Sequence, residues 1–315
     1  MPYAVCTLFE KNYHYGVAAL VNSLYKKGFR GAVYAGYRGA LPNWCKDARE
    51  DLSLNWDGAK TFDVAEGLQI HFLPIKNDYN LSNYKPDFML QLFEGSAKDK
   101  TGLAYFDPDI VIKCSWDFFE KWMSMGVALI HDITHNDMPL THPIRKGWEE
   151  IIRDSSREVT NDILSYINAG FCGVEKANLE FIRIWSEFVD LAIKKYAFDG
   201  TRFRSLPKSH IFFSGDQDAL NIAAMCSGCA ISEAGPEAMD FIPGGWLMSH
   251  AVGKLKPWSK NFISWSFKGR PPTLAERGYW MNVINPIQIY PMSRVKFKIR
   301  CLKIASIIGR FYRRY

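Results

Sequence analysis

The sequence predicts an α/β protein built on a mainly parallel central sheet with helices on both faces. Three observations carry this. Short apolar runs alternate with segments of helical spacing through the first third of the chain. Hydrophobic residues make up 48% and charged residues 23% of 315 residues, ordinary globular usage that excludes a mostly disordered chain. No 20-residue apolar run exists to span a bilayer.

In chain order, residues 4–8 form an apolar run with no basic segment before it, which reads as a first strand and not a signal peptide. Val17, Leu20, Val21 and Leu24 then recur at helical spacing. Residues 31–36 read as a second strand, and the charged stretch 45–54 as a helix. Residues 69–73 and 103–106 are further strands, with a helix over 87–93 between them. Right-handed crossovers between such strands line their C-terminal ends along one edge, where ligands of these folds bind. Residues 131–168 are polar and contain proline, an excursion over that edge with a helix at 148–154. A longer helix follows at 178–196. With no internal repeat or low-complexity stretch, residues 1–291 read as one elaborated domain and 292–315 as a tail.

The net charge of +6 is unevenly placed. Eight of the 39 basic residues lie between Arg294 and Tyr315, with no acid among them, so the body is near neutral. No basic stripe runs through it, and nucleic acid is not an expected partner. Seven scattered cysteines, an odd number, point to reduced thiols in a cytoplasmic protein. Cys226-Ser-Gly-Cys229 has no second pair to complete a zinc site and reads as a helix end.

Four short motifs carry chemistry. In Tyr105-Phe-Asp107-Pro108-Asp109, two carboxylates sit at the end of an apolar strand, and Pro108 stiffens the turn. Two anions this close repel unless a cation lies between them, and hard oxygen ligands suit Mn²⁺ or Mg²⁺. The same pair also fits a turn with solvated acids. In Met248-Ser-His250-Ala-Val-Gly253-Lys254-Leu-Lys256-Pro257-Trp258, His250 offers a third ligand, Gly253 lets backbone approach a phosphate, and Lys254 and Lys256 supply cations. The imidazole also fits a hydrogen-bonded structural histidine. In Gly215-Asp216-Gln217-Asp218-Ala-Leu-Asn221, either acid could cap a helix, but a cap does not require Gln217. In Tyr166-Ile-Asn168-Ala169-Gly170, small residues beside Asn168 indicate backbone packed against a ligand or another strand.

In this order and spacing, the four motifs resemble the retaining GT-A glycosyltransferases of family eight, the group containing glycogenin and the bacterial lipopolysaccharide galactosyl- and glucosyltransferases. The resemblance runs from about Tyr3 to Trp258. It implies a GT-A fold, a Rossmann-like sheet flanked by helices, and a metal-dependent transfer of a hexose from a nucleotide-sugar, UDP-sugar foremost. The acceptor would be a glycan or glycolipid in bacterial surface polysaccharide or lipopolysaccharide synthesis.

Carried over residue by residue, Asp107, Asp109 and His250 look like the metal ligands, for Mn²⁺ or Mg²⁺. Lys256, helped by Gly253, would contact the donor phosphate. Lys85, in Asn83-Tyr-Lys85-Pro, is similar to a basic donor-binding residue. Asn168 would face the donor sugar. Gln217 falls beneath the anomeric carbon, with Asp216 on the sugar hydroxyls, and Asn12-Tyr13 looks like the nucleobase-stacking segment. Glu10-Lys11 departs from the acids that the family often carries there. Residues 131–166 have no matching counterpart. They read either as part of the acceptor site, with His131, Asp132, His135 and Asp137 as candidates, or as a polar surface loop. Gln217 being an amide, front-face attack with retention is preferred over a covalent intermediate.

The tail places Phe297, Cys301, Ile304, Ile308 and Phe311 on one helical stripe and Lys296, Arg300, Lys303 and Arg310 on another. That pattern suits a cationic amphipathic helix lying on an anionic membrane, here the cytoplasmic face. A helix packed on the body or a disordered tail would share the composition. Two other functions fit the sequence less well. A nucleotidyltransferase usually carries a glycine-rich, lysine-containing loop after its first strand, and Leu8-Phe-Glu-Lys-Asn-Tyr13 has no glycine. A catalytically silent nucleotide- or glycan-binding protein would not require Asp107, Asp109 and His250 together.

Overall fold

The computed structural model describes residues 2–135 and 137–312; the last three residues of the basic tail lie outside them. The chain opens with β1 (Tyr3–Glu10), α1 (His14–Lys26) and β2 (Gly31–Arg38), then β3 (Arg49–Glu50), β4 (Lys60–Ala65) and β5 (Leu68–Pro74). Next come α2 (Lys85–Glu94), β6 (Gly102–Phe106), β7 (Ile110–Ile112), α3 (Trp116–Met123), β8 (Val127–His131) and α4 (Pro143–Asp154). They are followed by β9 (Ile167–Glu175), α5 (Leu179–Lys195), α6 (Gly215–Cys226), β10 (Ile231–Ala234) and β11 (Met248–His250). Three helices close the chain, α7 (Phe262–Phe267), α8 (Leu274–Met281) and α9 (Met292–Phe311).

Among the described residues one nine-stranded sheet runs in the order β10-β8-β9-β6-β1-β2-β5-β4-β3. All its strands share one direction except β9 and β4, which run against their neighbours. Both faces are buried, so β1 is an almost unbroken apolar run. Its side chains still sort with a period of two: Ala4, Cys6 and Leu8 join the core under α2, α5 and α6, while Val5 and Phe9 join the one under α1 and α3. The expected alternation of strands and helices is therefore what the chain forms.

One expected element is different. Residues 45–54 form no α-helix; they hold short 3₁₀ turns and β3, which pairs with β4. The Asp51 side chain accepts from the Ser53 N–H, and Asn55 turns left-handed at φ 51°, which ends any helix there. The CxxC does mark a helix end, since α6 stops at Cys226.

A two-stranded ribbon, β7 paired antiparallel with β11, stands at the C-terminal edge of the sheet. It packs on α1, where the Ile112 N–H donates to Ser23 Oγ at 3.0 Å. Its pairing sets His250 opposite Ile110, one residue beyond Asp109.

α9 is docked on the body. Val295, Leu302 and Ala305 are buried with Trp258, Phe262, Tyr279, Trp280 and Tyr290 in a third core. The opposite face of α9 is open: Phe297 is 62% exposed and Phe311 79%, beside exposed Lys296, Arg300, Lys303 and Arg310. Cys301 and Ile308, from the expected apolar stripe, are half-buried at its border. Among the described residues no helix is long and apolar enough to cross a membrane.

Candidate functional site

The site forms where β6, β9, α6 and the β7–β11 ribbon meet. β6 ends at Phe106, and Asp107 and Asp109 occupy the turn before β7. The Asp107 N–H continues the sheet by donating to the Gly170 carbonyl at 2.7 Å. Antiparallel pairing brings His250 in from β11, its Nε2 3.3 Å from Asp109 Oδ1 and 3.6 Å from Asp107 Oδ2. One ligand atom from each of the three lies within 4.8 Å of the others. Two carboxylates and one imidazole at this spacing fit a hard divalent cation such as Mn²⁺ or Mg²⁺.

Two glycines make the close packing possible. A Cβ on Gly170 would lie 2.5 Å from His250 Cε1 and 2.9 Å from its Nδ1. A Cβ on Gly16, in the first turn of α1, would lie 2.1 Å from the Pro108 carbonyl oxygen. Gly16 gave no signal in the sequence, because nothing there shows what passes beside it.

Lys256 folds back onto the triad. Its Nζ donates to Asp109 Oδ2 at 2.5 Å and to the Ala251 carbonyl at 3.0 Å. Burial works against the Asp109 charge, but His250 and Lys256 outweigh it and hold the carboxyl well below the usual carboxylate range. Lys256 also lies 5.6 Å from the Tyr13 ring centroid, and Tyr13 meets Trp258 edge-on at 5.5 Å. Tyr13, Lys256 and the metal-ligand set therefore form one surface. Asn12 is exposed in the 3₁₀ turn after β1, and Gly253 is exposed with φ 102°, a left-handed bend suited to glycine.

Lys85 opens α2 and is almost wholly buried. Its ammonium lies 3.2 Å from Asp107 Oδ1, 3.0 Å from Asp216 Oδ2 and 2.9 Å from the Ala169 carbonyl, which accounts for its three protons. Burial opposes its charge, yet Asp107 and Asp216 raise its pKa above the ordinary value. Burial also pushes Asp216 up despite Lys85. The ammonium, with three acceptors around it, is the charge that the site preserves. Tyr105, on β6 two residues before Asp107, donates its hydroxyl to Asp107 Oδ1 at 3.0 Å. The period of two was the available signal for that contact.

The acidic motif starts α6. Asn221 clamps the helix to β9, its Oδ1 accepting from the Ile167 N–H at 2.7 Å and its Nδ2 donating to the Ile167 carbonyl at 3.0 Å. This sets Gln217, one turn earlier, against Asn168 and Ala169. Gln217 Oε1 accepts from the Ala169 N–H at 3.1 Å. Asp218 lies beneath them, accepting from the Tyr166 hydroxyl and the Ser214 N–H, each at 2.7 Å. Burial pushes its carboxyl up to about 7 in spite of those bonds.

Of the four acceptor-side candidates, Asp132 alone reaches this network. Its Oδ2 accepts from Asn168 Nδ2 at 2.7 Å and from Gln217 Nε2 at 3.2 Å. His131 instead bonds Glu233 at 2.6 Å, His135 packs on His142 and Tyr166, and Asp137 is exposed.

No family model matches the chain, and no curated protein matches it in sequence. Solved structures do share its fold. The galactosyltransferase LgtC, solved with donor and acceptor sugar analogs, is 15% identical with a TM-score of 0.53, covering 94% of this chain and 99% of that one. GlyE, a glycosyltransferase of Streptococcus pneumoniae, is 12% identical with a TM-score of 0.51 over 95% of this chain and 64% of its own. The bifunctional glycosyltransferase WbbM is 13% identical with a TM-score of 0.50, and this chain spans about half of it, 51%. The α/β architecture with its mainly parallel sheet is thus the LgtC-like one expected from the motifs.

Proposed function

We propose that the chain is a metal-dependent glycosyltransferase that moves a hexose from a nucleotide-sugar, UDP-sugar foremost, to a glycan or glycolipid with retention of configuration. The observation that carries this is the convergence of Asp107, Asp109 and His250 with Lys256 on one side and Gln217 on the other. The likeness to LgtC, WbbM and GlyE supports it.

Asp107, Asp109 and His250 would hold Mn²⁺ or Mg²⁺, which neutralises charge on a departing diphosphate. Lys256, with backbone at Gly253, binds the same diphosphate; such electrostatic stabilisation contributes several kcal/mol, roughly a thousandfold in rate. Tyr13 and Asn12 take the nucleobase. Asp216 and Asn168 take sugar hydroxyls, and Lys85 acts on the donor by fixing Asp107 and Asp216. Gln217 lies beneath the anomeric carbon. Asp216 and Asp218 each accept hydrogen bonds or an ion pair from the protein, which favours front-face attack, with the leaving phosphate taking the acceptor's proton, over a carboxylate adduct.

The exposed basic and aromatic face of α9 supports peripheral binding at an anionic membrane, the cytoplasmic leaflet, where a lipid-linked acceptor of bacterial surface polysaccharide or lipopolysaccharide would lie.

The deciding experiment is nucleotide release from UDP-, GDP-, ADP- and CMP-sugars with Mn²⁺, Mg²⁺ or EDTA. Metal-dependent hydrolysis of one UDP-sugar, abolished by EDTA and by Asp109→Ala, is expected. Silence across the panel, with no nucleotide binding by calorimetry, would leave a catalytically silent glycan-binding protein in its place.

A further inference from the structure

We infer that Asp132 is a positioning residue that fixes which edge of the Gln217 amide faces the sugar; this rests on the transferase reading above. Asp132 follows β8 directly, and its own N–H donates to the Tyr166 carbonyl at 2.7 Å. Its Oδ1 accepts from the Thr134 N–H at 2.9 Å, which holds the carboxylate plane. Its Oδ2 then receives two amides, Asn168 Nδ2 and Gln217 Nε2.

The neighbours of Gln217 leave one orientation for its amide. With Oε1 toward the Ala169 N–H and Nε2 toward the Asp132 carboxylate, both contacts are donor to acceptor. The reversed amide would set its NH₂ against the Ala169 N–H and its carbonyl against the carboxylate, two repulsive contacts. Asn168 is held by the same logic, since its Oδ1 accepts from the Gly170 N–H at 2.9 Å while its Nδ2 faces Asp132. A single carboxylate therefore aligns both amides that line the sugar side of the site. Oδ2 has both acceptor positions filled by protein donors, which suits orientation better than capture of an acceptor hydroxyl.

The test uses the full chain, with Mn²⁺ and the donor identified by the hydrolysis panel for kinetics, and with diamagnetic Mg²⁺ for side-chain amide NMR, where the Gln217 pair is assigned by its loss in Gln217→Leu. In Asp132→Ala the Gln217 and Asn168 amide resonances should shift, and kcat for donor hydrolysis should fall about 10- to 100-fold. Donor KM, Mn²⁺ affinity and Tm should stay within about twofold or a few degrees of the parent. Asp132→Asn, which keeps one acceptor oxygen, should recover part of the rate, and it stands in should the alanine variant not fold. Unchanged Gln217 resonances, or a loss confined to KM or to Tm, would overturn the inference. Should no donor be turned over, the transferase reading fails separately, and the amide resonances alone decide whether Asp132 holds Gln217.

Discussion

Lys85 Nζ stands 3.0 Å from Asp216 Oδ2 in a space nearly closed to solvent, and the same ammonium reaches Asp107. One buried cation thereby ties a candidate metal ligand to an acid in the first turn of α6. Removing it strands a buried carboxylate, which typically costs about 3–5 kcal/mol. Lys85→Met should show such a loss in urea unfolding, and Lys85→Met/Asp216→Asn should be less destabilised than the sum of its parts.

Gly170→Ala tests the packing of His250. The added methyl would press on the imidazole, because a Cβ on Gly170, in β9, would lie 2.5 Å from His250 Cε1. Mn²⁺ affinity measured by calorimetry should fall about tenfold or more, with the circular dichroism spectrum retained. Gly16→Ala should act similarly by displacing the Pro108 carbonyl.

Asp218 should give the stability a pH slope. Its folded pKa of about 7 lies above the unfolded carboxylate value, so between the two the folded state binds the extra proton. Its contribution to stability should therefore be greater near pH 4 and decline as pH rises toward 7, by an amount on the order of 3–4 kcal/mol. Asp218→Asn keeps an acceptor for the Ser214 N–H and should flatten this part of the unfolding profile.

The outward face of α9 separates membrane binding from folding. Phe297→Ser/Phe311→Ser should weaken binding to anionic vesicles in a flotation assay while leaving Tm within a few degrees. Deleting residues after 291 should lower Tm as well, because Trp258, Trp280 and Tyr290 lose the cover of Val295, Leu302 and Ala305. Equal flotation by the double variant and its parent would remove the membrane role.

Much of the site was legible in the chain itself. Asp107, Asp109, His250, Gln217 and Asn168 sit in short motifs whose residue types fit one chemistry, and the alternation of strands and helices dictates the sheet edge on which they gather. Such patterns can be read from the chain because strand and helix periods depend on near neighbours. The tertiary structure decided what depends on contacts far apart in sequence. Residues 45–54 carry helical spacing but are drawn into turns and a strand against β4. α9 has apolar residues on more than one side, and only the packing of Trp258 and Trp280 selects Val295, Leu302 and Ala305 as its buried face. Asp132 reads from sequence as one of four acceptor-site candidates in an unmatched segment; the meeting of β8, β9 and α6 places it between Asn168 and Gln217. Lys85 reads from sequence as a basic donor-binding residue, and the fold surrounds it with two carboxylates and a carbonyl, because a buried charge persists only where it is paired.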